Sequence, residues 1–235
     1  MQAVILAGGL GKRLRPFTET IPKPMVPVAG VPYLAHQLRL LKRQSITDVV
    51  LCTGYLGHQI ENYFGGGDSF EMSIRYSREP RPRGTGGALR LAEPLLASEF
   101  LILYGDSYLP MDYRLPWAAL TGSTAIGVVV LYKDSTGETG VRANIATDAS
   151  GLIRRYDKDC SNRQDLVYIE AGVLAFRRQV LQMIPPGTES SLEKDIFPKL
   201  IERGELGGLV TDQRFYDIGT PERLRRLEEF FRDHN

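Results

Sequence analysis

The sequence predicts an α/β fold: a mixed, mainly parallel sheet flanked by helices. Short runs rich in Val, Ile and Leu alternate with helical patterns over the first half of the chain. The runs are apolar at successive positions, as strands covered on both faces must be. Each stops at glycine or another turn-forming residue. The resulting β-α-β-α-β-α-β order is the pattern of a parallel sheet between helices.

Residues 3–7 form the first buried strand, which ends at Gly8-Gly9. Pro32 opens a helix with Leu34, Leu38 and Leu41 on one face. Residues 48–53 give a second buried strand, and Ile60 and Phe64 belong to a short helix stopped by Gly65-Gly66-Gly67. Met72, Ile74 and Tyr76 alternate as a third strand. Residues 85–95 read as helix and 100–104 as strand, halted by Gly105. The second half reads as strands at 125–132, 141–147, 152–156 and 166–176, with few helices between them. A helix at 191–203, a short strand pair and a last helix at 221–232 follow. With no linker or repeat, residues 1–235 are expected to form a single domain. The second half, about 111–235, would add strands to the sheet begun by about 1–110.

Composition narrows the function. Hydrophobic residues at 43% and charged residues at 24% match a globular chain. With 29 basic and 28 acidic side chains, the net charge of +1 does not suit a general nucleic-acid or membrane-surface binder. Two cysteines, Cys52 and Cys160, make no disulfide framework, so a reducing, cytoplasmic setting is expected. No signal peptide or membrane span is expected from the opening residues or the apolar runs. Homo-oligomerisation is left open.

The chemistry begins in Leu6-Ala-Gly-Gly-Leu-Gly-Lys-Arg-Leu-Arg-Pro16. Glycines after a buried strand let backbone N–H groups approach an anion, and Lys12, Arg13 and Arg15 add the charge a polyphosphate needs. A Walker loop would need Gly at position 6 and Ser or Thr at 13, where the chain has Leu6 and Arg13; a dinucleotide fingerprint would need Gly or Ala at Leu14. In Ile21-Pro-Lys-Pro-Met25, two prolines fix the backbone around one lysine, which pre-aims its ammonium.

These two segments resemble the sugar-1-phosphate nucleotidyltransferases. The resemblance continues, in order, through Gly84-Thr-Gly-Gly-Ala88, Gly105-Asp106, Asp157-Lys158, Ile169-Glu-Ala-Gly172 and Asp217-Ile-Gly-Thr-Pro221. The chain looks most like the short D-glycero-D-manno-heptose 1-phosphate guanylyltransferases. It departs from the family pattern at Lys12, where Thr is usual, and at Arg81 and Arg83, which stand where Glu and Leu are common. Asp157-Lys-Asp159 replaces Glu-Lys-Pro. The resemblance implies a Rossmann-like, glycosyltransferase-A-like sheet without a C-terminal β-helix.

It also implies an activity, with about 1–110 as the nucleotide-binding half and about 111–235 as the sugar-phosphate half: sugar 1-phosphate attacks the α-phosphorus of a nucleoside triphosphate and pyrophosphate leaves. Arg13 would hold the β and γ phosphates with Lys12, and Lys23 would neutralise the α-phosphate. Leu6, Ala7, Gly8, Gly9, Gly11, Gly84, Thr85 and Gly86 would surround the nucleotide. Asp106 and Asp217 would hold Mg²⁺. Lys158 would bind the sugar phosphate, Glu170 the sugar hydroxyls, and Gly172 would allow close approach. GTP and a manno-configured heptose 1-phosphate are the expected substrates. Guanine would be read by carbonyls of residues 6–8 or by Glu79, with Arg81 or Arg83 donating to O6 or N7. The alternative is a uridylyl- or thymidylyltransferase acting on a hexose or N-acetylmuramate 1-phosphate. A glycosyltransferase would usually lack the glycine-rich loop and Pro-Lys-Pro. A non-catalytic nucleotide sensor has no need to keep Arg13, Lys23, Asp106 and Asp217 together.

Overall fold

A computed structural model of the chain describes residues 1–158 and 164–234. Asp159 and Cys160, singled out above, lie outside these residues. In chain order, the strands of the first half are β1 (Gln2–Leu6), β2 (Pro27–Val28), β3 (Val31–Pro32), β4 (Asp48–Thr53), β5 (Ser73–Arg78), β6 (Glu99–Tyr104) and β7 (Ser107–Tyr108). Their helices are α1 (Tyr33–Arg43), α2 (Gly57–Phe64) and α3 (Gly84–Leu91). The second half holds α4 (Arg114–Thr121), β8 (Gly127–Tyr132), β9 (Ile145–Thr147), β10 (Ile153–Tyr156), β11 (Ile169–Arg177), α5 (Phe197–Glu202), β12 (Leu206–Thr211), β13 (Tyr216–Asp217) and α6 (Pro221–Asp233). No helix among the described residues is long and apolar enough to cross a membrane.

The main sheet has seven strands in the order β12-β8-β11-β6-β1-β4-β5. Six run the same way, and β11 alone is antiparallel to its neighbours β8 and β6. Side chains alternate between two cores. In β1, Ala3 and Ile5 face the core under α1, while Val4 faces the core under α3 and α5. Leu101 and Leu103 alternate with Phe100 and Ile102 in β6, and Val173 and Ala175 with Leu174 and Phe176 in β11. This two-sided burial is why the strands read as unbroken apolar runs. In α1, Leu34, Leu38 and Leu41 are fully buried, but so are Tyr33, Ala35 and Gln37, so the helix is enclosed well beyond one face.

The second half differs from expectation in four ways. The 141–147 and 152–156 segments do not enter the main sheet but form a separate antiparallel pair, β9–β10. The two strands after α5 do not pair with each other: β12 lies parallel to β8, and β13 pairs with β7. α4 is an additional helix, built on the half-apolar stretch around Leu115 and Trp117. The 191–203 helix is split into a π-helical turn, Leu192–Ile196, and α5. Pro198 sits in the first turn of α5 and has no N–H to continue a preceding ladder. Pro94 acts likewise at the end of α3, where the expected helix 85–95 stops at Leu91 and a 3₁₀ turn, Glu93–Leu95, follows.

Gly127, at the start of β8, pairs with Phe176 in β11. A Cβ there would lie 2.2 Å from the fully buried Phe176 ring. Gly127→Ala is therefore expected to destabilise the protein by about 1–3 kcal/mol through overpacking, read as a lower urea midpoint at unchanged m-value.

Candidate functional site

The site is assembled at the carboxyl ends of β1 and β6, where open α/β sheets place ligands. The strands are parallel neighbours with Leu6 opposite Tyr104, so the turns that follow emerge side by side. The Gly105 N–H donates to the Leu6 carbonyl at 3.0 Å and locks them together. On α1, the buried Gln37 amide donates to the Tyr104 and Ser107 carbonyls at 2.9 and 2.8 Å, fixing the bend that carries Asp106.

A cavity of about 380 Å³ opens here. Of the residues expected to act, Leu6, Ala7, Gly8, Gly9, Lys23, Gly84, Thr85, Asp106 and Lys158 line it together. Lys23 and Asp106 are ion-paired at 2.5 Å. Glu79 forms part of the wall: its Oε2 accepts the Arg83 N–H at 3.0 Å, and its Oε1 packs against Gly8 and Gly54. A Cβ on Gly8 would lie 2.4 Å from that oxygen, so any other residue there would displace the carboxylate. Burial raises the Glu79 pKa, against the Arg83 N–H. Cys52 is also in the wall, and burial pushes its thiol up to about 12, which leaves it inert.

Asp217 lies beside Asp106 through the backbone. β13 pairs Asp217 with Ser107, and the Ile218 N–H donates to the Asp106 carbonyl at 3.0 Å. Asp217 accepts the Gly219 N–H at 2.7 Å and is paired with Arg223 at 3.1 Å. Arg13 stands next to this acid: a Cβ on Gly219 would come within 3.4 Å of its guanidinium. Asp217, Arg13, Lys12 and Gly11 do not line the cavity.

Three expected residues sit elsewhere. The Gly86 N–H donates to the Ser190 carbonyl at 2.8 Å, so it faces a neighbouring segment instead of the cavity. Gly172 has φ +80°, and a Cβ there would meet Ser107 at 2.4 Å; glycine is required by that packing and by its left-handed backbone. Glu170 lies behind the wall. Its Oε2 accepts the Tyr156 hydroxyl at 2.7 Å, and its Oε1 is buried with no partner among the described residues. The carboxylate that faces Lys158 in the wall is Glu193, at 3.2 Å from that lysine and 2.6 Å from the Tyr104 hydroxyl. Sequence reasoning passed over Glu193 and Tyr104. Ser191-Leu-Glu193 carried only a capping signal, a serine followed by acids before an apolar run. Arg81 and Arg83 do not line the cavity either, although Pro82 between them does.

Burial, and then the neighbouring Glu193 charge, raise Glu170 from 4.5 to about 7, against the hydroxyls of Tyr104 and Tyr156 and the charge of Lys158. For Glu193, burial opposes ionisation, but Lys158, Ser191 and Tyr104 together hold its pKa below the usual value. The folded chain therefore keeps a proton on Glu170 that the unfolded chain has released above 4.5. Stability falls as pH rises from there to about 7, because the native state binds the extra proton across that window. The contribution of Glu193 has the opposite sign and is lost only as pH drops below the unfolded value. Glu170→Gln should flatten the decline in melting temperature between about pH 5 and about pH 8; an unchanged slope would exclude Glu170 as its source.

The family profile described as Nucleotidyl transferase matches residues 2–234. The chain is 33% identical over 226 residues to a mannose-1-phosphate guanylyltransferase of Mycobacterium tuberculosis, covering 94% of this chain and 62% of the relative. It is 31% identical over 230 residues to a D-glycero-alpha-D-manno-heptose 1-phosphate guanylyltransferase of Aneurinibacillus thermoaerophilus, covering 97% of each. A UTP–glucose-1-phosphate uridylyltransferase of Synechocystis is 30% identical, with 93% of this chain and 60% of the relative covered. The chain thus spans about three fifths of the length of the mannose and glucose relatives and nearly all of the heptose one. Among solved structures, HddC from Yersinia pseudotuberculosis complexed with GMP-PN superposes with a TM-score of 0.83 at 27% identity, covering 98% of this chain and 99% of that one. With the profile running from the second residue nearly to the last, and with relatives above 30% identity along the same stretch, this chain belongs to the nucleotidyl transferase family.

Proposed function

We propose that this protein transfers a nucleoside monophosphate from a nucleoside triphosphate, GTP by preference, to a sugar 1-phosphate, with a manno-configured heptose 1-phosphate as acceptor. The observation that carries this reading is the cavity itself. The glycine turn, Lys23, Asp106 and Lys158 line the same cavity, so two phosphate-bearing substrates can meet in it. The heptose relative, matched from end to end, and the likeness to a structure holding GMP-PN support the base and the sugar.

A sugar-phosphate oxygen attacks the α-phosphorus, the bond from that phosphorus to the bridging oxygen breaks, and pyrophosphate leaves with the electron pair. A phosphate monoester with a second pKa of about 6 is already largely ionised at neutral pH, so no general base is needed. The task is to place two polyanions in line and neutralise them. Lys23 would turn from Asp106 to the α-phosphate, Arg13 would meet the outer phosphates, and Lys158 would hold the attacking phosphate. Asp106, in the turn just before β7, and Asp217, on β13 paired with β7, supply two hard oxygen donors, each already drawing a cationic side chain. That set fits Mg²⁺, which takes one or two carboxylates and fills its shell with water and phosphate. When bound, the ion supplies further neutralisation of the phosphates.

Glu79 supports guanine. A carboxylate in the cavity wall can accept both the N1–H and the N2 amine, whereas uracil offers one donor. Losing such a partner costs about 1–3 kcal/mol per buried group. The uridylyl alternative draws on the Synechocystis relative.

Pyrophosphate release with GTP, UTP, CTP, ATP and dTTP at equal concentration, against a panel of sugar 1-phosphates, tests the reading. Preference for GTP with the heptose substrate is expected; preference for UTP or dTTP would move the protein to another branch. Asp106→Ala should lower turnover by ~10²–10³, and excess chelator should do the same to the wild type. Full activity in chelator would refute the metal assignment.

A further inference from the structure

Glu193 is only 5% exposed, yet its carboxylate is shared by three parts of the chain. Thr85, at the start of α3 in the nucleotide half, donates to it at 2.9 Å. Tyr104, at the end of β6, donates at 2.6 Å, and Ser191 at 2.5 Å. Lys158, in the sugar-phosphate half, completes the set at 3.2 Å. The segment bearing Glu193 is itself docked on the first turn of α3. The Ser190 carbonyl accepts the N–H groups of Gly86 and Gly87 at 2.8 and 3.1 Å, and the Ser190 N–H donates to Arg83 at 2.8 Å. The Leu192 N–H donates to the Thr85 hydroxyl at 2.8 Å. The π-helical turn beginning at Leu192 carries Glu193 into the cavity wall, an irregularity often found at functional sites.

The anchored carboxylate faces a lysine whose side chain is 43% exposed. A long ammonium stem loses much freedom when it is fixed on a phosphate, and an anchored counter-charge removes part of that loss beforehand. Besides Ser191 beside it in the chain, the anchors on the carboxylate, Thr85 and Tyr104, come from the nucleotide half, so the position of Lys158 is tied to α3 and β6.

We propose that Glu193 is a positioning residue that aims Lys158 at the sugar phosphate and, through Thr85, ties this lysine to the turn that opens α3. The inference rests on the reading of Lys158 as the sugar-phosphate ligand. It makes Glu193 an aid to sugar-phosphate binding, although simple charge counting would make it a competitor for the ammonium.

The test is steady-state kinetics on Glu193→Gln, Lys158→Met and the double variant, with GTP and the heptose 1-phosphate, or the pair the substrate panel selects. Lys158→Met should raise the KM for the sugar phosphate. Glu193→Gln should raise the same KM about tenfold, the scale of one charge-assisted hydrogen bond, with a smaller effect on the KM for the triphosphate. The double variant should be no worse than Lys158→Met alone, since Glu193 acts through that lysine. A lowered or unchanged sugar-phosphate KM in Glu193→Gln, or additive effects in the double variant, would overturn the inference while leaving the role of Lys158 intact. An unchanged KM in Lys158→Met would instead remove the reading beneath it. If Glu193→Gln does not fold, Ser191→Ala decides: it removes one anchor and keeps the charge. A rise in sugar-phosphate KM is then expected, and no rise would refute the role.

Discussion

The parallel pairing of β1 with β6 governs the rest of the site. Because Leu6 stands opposite Tyr104 in register, the glycine turn and the Gly105-Asp106 turn leave the sheet at the same height. A shift of one residue would turn every side chain of β1 to the opposite core and move the turn away from Asp106. The remaining groups are hung on this pair. Gln37 fixes the bend after β6, β13 is laid against β7, and Lys23 is brought to Asp106.

The reversed strand β11 brings the second half of the chain into the arrangement. It lies between β8 and β6 and runs against both, with Val173 opposite Leu103. The beginning of β11, with Glu170, therefore lies near the ligand end of the sheet, where Tyr156 and Tyr104 close over it. A carboxyl group placed there has little water and an acidic neighbour in Glu193, which accounts for its raised pKa. Beside Lys158 the wall is left with Glu193 as the one ionised acid of this pair, an arrangement the low local dielectric favours over two adjacent anions.

Much of this was legible in the sequence, for identifiable reasons. Strands buried on two faces leave unbroken apolar text, and so β1, β4 and β6 could be placed within a residue or so. Glycine and proline turns with cations announced a phosphate site, and Lys23, Asp106 and Lys158 do line one cavity. What was missed depends on contacts between distant segments. Gly86 reads like an anion-binding turn, but its N–H is taken by Ser190, and nothing local to either residue signals that bond. Glu170 was conspicuous as an acid in an apolar strand, whereas Glu193 stood in an ordinary acidic helix start. Burial reversed their prominence, because the π-helical turn points Glu193 inward and the tyrosines cover Glu170. The strand pair after α5 failed for a related reason: adjacency in sequence suggested pairing, but the partners are the distant strands β8 and β7.

The docking of residues 190–193 on α3 also bears on how the protein comes apart. Thr85 and Glu193 are 108 positions apart in the chain, yet they are joined by a direct hydrogen bond with backbone bonds beside it. Freeing either segment breaks the bonds of both, so the two form one cooperative unit in native-state opening. Their amide hydrogens should then exchange together. Any local melting that frees the α3 turn removes the anchor of Lys158 in the same event.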